Sequence, residues 1–405
     1  MITERLYYTD AYTTTFQAAI IERVHHKKGL AIVLDRTYFY PESGGQPADT
    51  GWLNNTAVSH VEIRPTDGAI LHWVADDIWS EEATGKINWA RRFDHMQQHT
   101  GQHILSQAFI QTARAETIGF HLTGNTLTID LHTNNLTAAQ IQDAETLANE
   151  IIWQNRPIHV HFATLEQAKK LPLRKIPPVE SGKLRLIEVK DFDLTACGGT
   201  HVQNSGSVGQ IKITKIERRG EQLRVSFVCG KRALLDYRYK NSIINQLTTN
   251  LTTGANDILP AIAKLQDELK NANRTLRQQQ EIILQFEAQS LLEECSPKGK
   301  VNLVTHVFSD RGANEVRQIG QILAKQPKTI ALLALAGSKT TLFFTKSEDA
   351  PGQMDVLLKT AVQMLEGGGG GGSEFQAQGG GPPVPLDRLQ QILNRASKLA
   401  SGQIK

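Results

Sequence analysis

Cysteine is scarce in this sequence. The 405 residues hold three, Cys197, Cys229 and Cys295. An odd, widely spaced set excludes a disulfide framework and points to a reducing compartment. Long apolar runs are missing too. The best stretch, Thr329 to Gly337, falls far short of the roughly 18 residues that a bilayer-spanning helix needs, so no membrane partner is expected. Met1-Ile2-Thr3-Glu4-Arg5 carries no apolar signal core, and the expected location is cytoplasmic. An excess of one charge is also lacking: 44 Lys and Arg against 41 Asp and Glu leave a net +3, which selects no partner by itself. Its distribution says more. Ser181 to Lys240 holds 12 basic against 6 acidic residues, and Ser296 to Lys405 holds 13 against 8. Such stretches suit a polyanion and equally suit a solvated surface.

What is present is the composition of a folded protein. Hydrophobic residues at 40% and charged residues at 21% argue against wholesale disorder, and the length calls for two or three domains. Residues 1–90 read as short strands, among them Ala18 to Val24, Gly29 to Leu34, Val58 to Ile63 and Ile70 to Val74, with turn chemistry at Asn54-Asn55 and Asp67-Gly68. Many strands with no helix between them predict a small β-barrel. Residues 91–240 change texture. Asp94 to Thr112 and Thr137 to Asn155 have helical spacing, and Thr137 and Gln140 form a capping-box pattern. Strands return at Ile158 to Phe162, Leu184 to Val189, Gly209 to Glu217 and Gln222 to Val228, which predicts an α+β domain. Residues 241–296 contain a heptad-like stripe, Ile258, Ile262, Leu265, Leu269, Ala272, Leu276, Ile283 and Phe286, closed by Ser296-Pro297-Lys298-Gly299. This is the pattern of a long helical or coiled-coil spacer, compatible with a homodimer or an internal hairpin. Residues 297–405 alternate strand and helix as a small α/β domain, with a glycine-rich loop between its last two helices.

The chemistry concentrates in two pairs. His99-Thr-Gly-Gln-His103 places two imidazoles at i and i+4, one above the other on a helix face. Alone this pattern is weak, and the glutamate base of metalloproteases is missing from it. Cys197-Gly-Gly-Thr-His201 offers a thiolate and an imidazole on a turn. Three nitrogens and one sulfur suit a single zinc ion. If all four bind at once, the sphere is closed, as in structural sites. Cys229 and Cys295 have no comparable neighbours and read as core or helix-end residues.

The block Arg91-Arg-Phe-Asp-His-Met-Gln-Gln-His99 through Leu105, the later Cys197 to Val202, and Tyr38-Phe-Tyr-Pro-Glu-Ser-Gly-Gly-Gln46 through Gly51 together resemble the editing domain of alanyl-tRNA synthetase. The glycine run 367–372 with Ser373 to Gly381 resembles the C-terminal domain shared by that synthetase and the DHH phosphoesterases. The aminoacylation core is absent, so the whole resembles the free-standing long-form editing proteins of the AlaX type. That resemblance implies an aminoacyl-tRNA deacylase acting on the acceptor end of tRNA(Ala), hydrolysing Ser-tRNA(Ala) and also Gly-tRNA(Ala) with one zinc per chain. It places Ser43, Gly44 and Gly45 at the pocket. Gln46, Gln102 and Thr37 become candidate catalytic residues, and Thr37 and Thr50 hydroxyl candidates for reading serine. Arg218 and Arg219, with Arg224, Lys212 and Lys215, become candidates for acceptor phosphates. Asp94 is a candidate to orient a ligand histidine. Competing readings are editing of Ser-tRNA(Thr), a non-catalytic RNA-binding protein with structural zinc, and part of a phosphoesterase. The last needs an Asp-His-His motif that the chain does not contain.

Overall fold

The computed structural model describes residues 3–27, 29–123, 127–175, 183–295, 297 and 299–402. Ser296 and Lys298, in the segment expected to end the long helix, lie outside these. The chain divides into two compact units, Met1–Asn250 and Leu251–Lys405.

The first unit opens with β1 (Glu4–Arg5), β2 (Thr15–His26), β3 (Gly29–Leu34), β4 (Arg36–Thr37), β5 (Gly51–Leu53), β6 (Thr56–Ile63), β7 (Ile70–Val74) and β8 (Glu82–Ile87). The expected barrel is there: β2, β3, β7, β6, β5 and β8 close on one another, with every pair antiparallel. Successive strand residues face opposite sides, so Phe16, Ile32, Leu34, Leu53, Val61 and Ile70 share one core. The sequence reading missed β8. Its burial alternates regularly, but two of its inward positions hold Ala83 and Gly85 rather than large residues. Phe16 is the reason, since a Cβ at Gly85 would stand 2.4 Å from that ring.

The same unit continues with α1 (Trp89–Ala113), β9 (Thr117–Leu122), β10 (Leu127–Leu131), α2 (Ala138–Trp153), β11 (Ile158–Thr164), α3 (Leu165–Ala168), β12 (Lys183–Val189), β13 (Asp193–Ala196), β14 (Ile211–Arg219), β15 (Gln222–Cys229) and α4 (Gly230–Leu251). Two sheets result, β14-β15-β10-β9 and β11-β12-β13. Asn88 caps α1 by accepting from the Arg91 N–H. α2 begins with the expected capping box: Gln140 N–H donates to Thr137 Oγ1 at 3.2 Å, and Thr137 N–H to Gln140 Oε1 at 3.0 Å. Met96, Ile104, Leu105 and Phe109 of α1 join Ile129, Ile151, Val225 and Phe227 in one apolar core. α1 is unusual in burying polar residues as well: Arg92, Gln98, His99, Thr100, Gln102 and His103 are all inside. Each buried polar group needs a partner, and those partners build the site described below.

The second unit comprises α5 (Ile258–Glu293), β16 (Asn302–Phe308), α6 (Ala313–Ala324), β17 (Thr329–Leu335), β18 (Thr340–Lys346), α7 (Met354–Gln363), β19 (Gly369–Gly372), β20 (Gln376–Gly381) and α8 (Leu386–Gly402). Its sheet runs β16-β17-β18-β20-β19, with β16 and β17 parallel across α6. Near its C-terminal end α5 buries Leu284, Ala288 and Leu291 against Val316, Ile319 and Leu323 of α6. Leu265, Leu269, Leu276, Ile283 and Phe286 of the heptad stripe are exposed. The glycine run expected as a loop is instead the hairpin β19–β20. Crowding accounts for its composition, since a Cβ at Gly372 would lie 2.2 Å from the Gln376 carbonyl oxygen. Among the described residues no helix is long and apolar enough to cross a membrane.

Candidate metal centre

α1 presents His99 and His103 side by side, and the loop after β13 brings Cys197 and His201 to the same point. The four ligand atoms lie within 4.8 Å of one another. Cys197 Sγ stands 3.4 Å from His99 Nε2 and 3.3 Å from His201 Nε2. Zinc bonds of about 2.3 Å to sulfur and 2.0–2.1 Å to nitrogen put such atoms about 3.5 Å apart at a tetrahedral angle, so this spacing fits one ion.

The opposite ring nitrogens are also accounted for. His99 Nδ1 is 2.8 Å from Gln46 Oε1. His201 Nδ1 is 3.1 Å from Thr100 Oγ1. His103 Nδ1 faces Asp193 Oδ2 at 3.5 Å, an ion-pair rather than a hydrogen-bond distance, and is otherwise unpartnered. An acceptor at Nδ1 fixes the tautomer that leaves Nε2 free to ligate. The Gln46 oxygen fixes it at His99 and the Asp193 carboxylate favours it at His103.

The supports extend outward. Gln46 Oε1 also accepts from Thr200 N–H at 3.1 Å, while its Nε2 donates to Thr200 Oγ1 at 2.8 Å. Arg174 Nε donates to Asp193 Oδ1 at 2.8 Å. The buried Arg185 guanidinium donates to three main-chain carbonyls, those of Cys197 at 2.7 Å, Gly199 at 2.8 Å and Tyr8 at 2.8 Å, and so holds the loop's curvature. Gly199 N–H donates to Cys197 Sγ at 3.3 Å. Gly199 must itself be small, for a Cβ there would stand 2.2 Å from His99 Cε1. Burial opposes charge on the Cys197 thiol, but the imidazoles of His99, His201 and His103 outweigh it and hold the thiol well below its ordinary range. Burial pushes His201 down to about 3, keeping it neutral. Burial also opposes charge on His103, but Cys197 and Asp193 outweigh it and raise that imidazole above its ordinary value; a divalent ion needs the thiolate already favoured here and displaces the imidazolium proton.

The rest of α1 is pinned with similar thoroughness. Gln98 brackets the Cys229 main chain, donating to its carbonyl at 3.1 Å and accepting from its N–H at 2.9 Å. Arg92 forms a fully buried ion pair with Asp49 and donates to the Ala11 carbonyl at 2.7 Å. Asp49 Oδ2 in turn accepts from Tyr40 N–H at 2.7 Å. The segment 38–49 is thereby fixed against α1.

A cleft of about 350 Å³ opens beside the quartet. His99, His103 and Cys197 border it, with Gln102, Thr117 and Arg174. Phe120 stacks on His99, ring centroids 5.2 Å apart. Ser43 and Gly44 lie on the cleft wall, and the Gly45 carbonyl accepts from Leu122 N–H at 3.2 Å. Gln102 donates to Ser106 Oγ at 2.8 Å, and Thr117 Oγ1 donates to the same oxygen at 2.7 Å.

Other residues singled out from sequence are placed elsewhere. Gln46 is fully buried and reaches His99 from behind rather than lining the cleft. Thr37 lies in the barrel, 2.9 Å from His72 Nε2, and Thr50 uses its carbonyl to accept from Asn88 N–H. Arg218 and Arg219 are exposed at the end of β14. Arg224 pairs with Asp130, Lys212 with Glu145 and Lys215 with Glu217. Asp94 pairs with Arg232, not with a ligand histidine. Asp193, Arg185, Thr100 and Thr200 were missed. Thr100 and Thr200 meet His201 and Gln46 far away in the chain, as Asp193 meets His103, and Arg185 binds main-chain carbonyls of the loop, which no side-chain pattern marks.

Two family models match the chain. One, threonyl and alanyl tRNA synthetase second additional domain, covers residues 184–224. The other, tRNA synthetases class II (A), covers residues 3–88. Alanyl-tRNA editing protein AlaX-L of Pyrococcus horikoshii is 31% identical over 387 residues, 93% of this chain and 94% of that protein. Alanyl-tRNA editing protein AlaX-M of Methanosarcina acetivorans is 34% identical over 245 residues, 55% of this chain and 97% of that protein. The alanine–tRNA ligase of Pyrococcus furiosus is 28% identical over 392 residues, and the match spans 42% of that longer protein.

Proposed function

We propose, from the premise that this chain belongs to the alanyl-tRNA editing protein family, that it hydrolyses the aminoacyl ester of mischarged tRNA(Ala), chiefly Ser-tRNA(Ala), with Gly-tRNA(Ala) as a second substrate. The observation that carries this reading is the meeting of His99, His103, Cys197 and His201 at one point beside an open cleft. Zinc bound there supplies Lewis acidity next to the ester. The chain's own residues do the rest. Gln46, Thr100 and Asp193 hold the three imidazoles in position. The Ser43–Gly44 turn gives a wall with little side chain, which lets the ester approach main chain closely. Gln102 and Thr117 offer polar groups to the serine hydroxyl. Alanine lacks that hydroxyl and forgoes the contact, which favours the seryl ester over the alanyl one; glycine lacks it as well, so Gly-tRNA(Ala) is expected to be hydrolysed more slowly than Ser-tRNA(Ala). Arg174 and Lys175 at the cleft, with Arg218 and Arg219 outside it, are the proposed contacts for acceptor phosphates.

Incubation with Ser-, Gly- and Ala-charged tRNA(Ala), with and without chelator, tests the proposal. Hydrolysis of the first two, sparing of the third and loss of activity with chelator are expected. Equal attack on all three overturns the selectivity. The four-ligand set also favours a second reading, structural zinc in an RNA-binding protein. Under that reading Cys197→Ala unfolds the first unit; under ours it abolishes turnover in a chain that still binds tRNA.

A further inference from the structure

β11 carries two histidines, His159 and His161, two residues apart and therefore on one face of the strand. Glu188 stands directly opposite His159 on β12. We propose that His159, His161 and Glu188 form a second, solvent-facing site for a divalent transition ion such as zinc, independent of the buried quartet.

The geometry supports a shared ion over a simple ion pair. One carboxylate oxygen, Glu188 Oε2, lies 2.8 Å from His161 Nε2 and 3.5 Å from His159 Nδ1. A hydrogen-bonded His–Glu pair needs only one imidazole, yet both rings converge on the same oxygen, their centroids 5.9 Å apart and perpendicular. All three ligand atoms fall within 4.8 Å of one another. Ligands around tetrahedral zinc stand about 3.3 Å apart, which the two measured distances bracket. Two imidazoles and a carboxylate fill three positions and leave the rest to water, a set suited to zinc and its first-row neighbours. The side chains are 49%, 48% and 32% exposed for His159, His161 and Glu188. Binding is therefore weaker than at the quartet, since the ligands are less restrained and the ion keeps its water.

The test is a zinc titration of the full chain against a chromophoric chelator, repeated with cobalt to read ligand type. The expected result is two ions per chain, one tight and one weak. Only the tight cobalt gives thiolate charge-transfer absorption. The double variant His159→Asn/His161→Asn should bind one ion, with tight affinity and deacylation at low free zinc unchanged. Cys197→Ser should lose the tight ion and keep the weak one, so failure of the quartet and failure of this site are told apart. A single ion in the unaltered chain, or a weak ion that survives the double variant, overturns the proposal.

Discussion

Gly199 offers the sharpest test of how the metal centre is assembled. Adding one methyl group there places carbon 2.2 Å from His99 Cε1, 2.4 Å from Nδ1 and 2.9 Å from Gln46 Oε1. Ordinary contact begins at 3.4 Å, so ring and loop must separate by about 1.2 Å. Neither can yield cheaply. His99 is held by Gln46 and stacked on Phe120, and the loop is held by Arg185. Metal–ligand distances tolerate only about 0.2 Å of change, so a shift of this size takes His99 off the ion. Misplacement of a reacting group by about 1 Å costs roughly a hundredfold in rate. Gly199→Ala is therefore expected to lower zinc affinity and deacylation by about that factor, read by chelator competition and by single-turnover hydrolysis. The adjacent glycine is the control, because a Cβ at Gly198 meets only Tyr8 Oη, at 3.7 Å. Gly198→Ala should leave both readouts nearly unchanged. Equal behaviour of the two variants would refute the steric reasoning.

Asp193→Asn removes the carboxylate between His103 and Arg174 and should weaken zinc binding by about 10–100-fold, measured by competition. Arg92→Met leaves the buried Asp49 carboxylate without its counter-charge; a loss of about 3–5 kcal/mol is expected in urea denaturation, and a loss under about 1 kcal/mol would contradict the pairing. The hydrogen bond from Arg224 holds the Asp130 carboxyl below its ordinary range. A depressed folded value means that stabilisation is complete above the ordinary carboxylate pKa and is lost as pH falls through the folded one. Asp130→Asn should flatten that acid limb of the stability–pH curve and leave stability at low pH little changed.

The sequence exposed what is periodic or locally spaced. His99 and His103 declare themselves by helical spacing, Thr137 and Gln140 by the capping box, and the barrel by strands at hairpin intervals. What stayed hidden is of two kinds. Strands whose inward residues are small leave no alternation to read. This holds for β8, whose inward positions are Ala83 and Gly85, while β19 is four exposed glycines with no alternation at all. Residues that act at the site across long separations, such as Asp193 on His103 and Gln46 on His99, or through main-chain carbonyls, such as Arg185 on the Cys197 loop, carry no local pattern. Thr37 stands beside a suggestive motif, and its hydroxyl is engaged with His72, a pairing that no local spacing announces.

Arg185 clasps Tyr8 and Gly199 together, and Tyr12 Oη accepts from the Gln203 N–H at 3.1 Å. Two stretches from opposite ends of the first two hundred residues are thus sewn to each other beside the candidate metal centre. A growing chain holds only a two-histidine half-site until the cysteine loop has been synthesised, and the earliest residues must wait for that loop before they settle. Contacts of such high sequence separation slow folding, so the four candidate ligands come together only after the 197–201 loop has docked on the first residues of the chain.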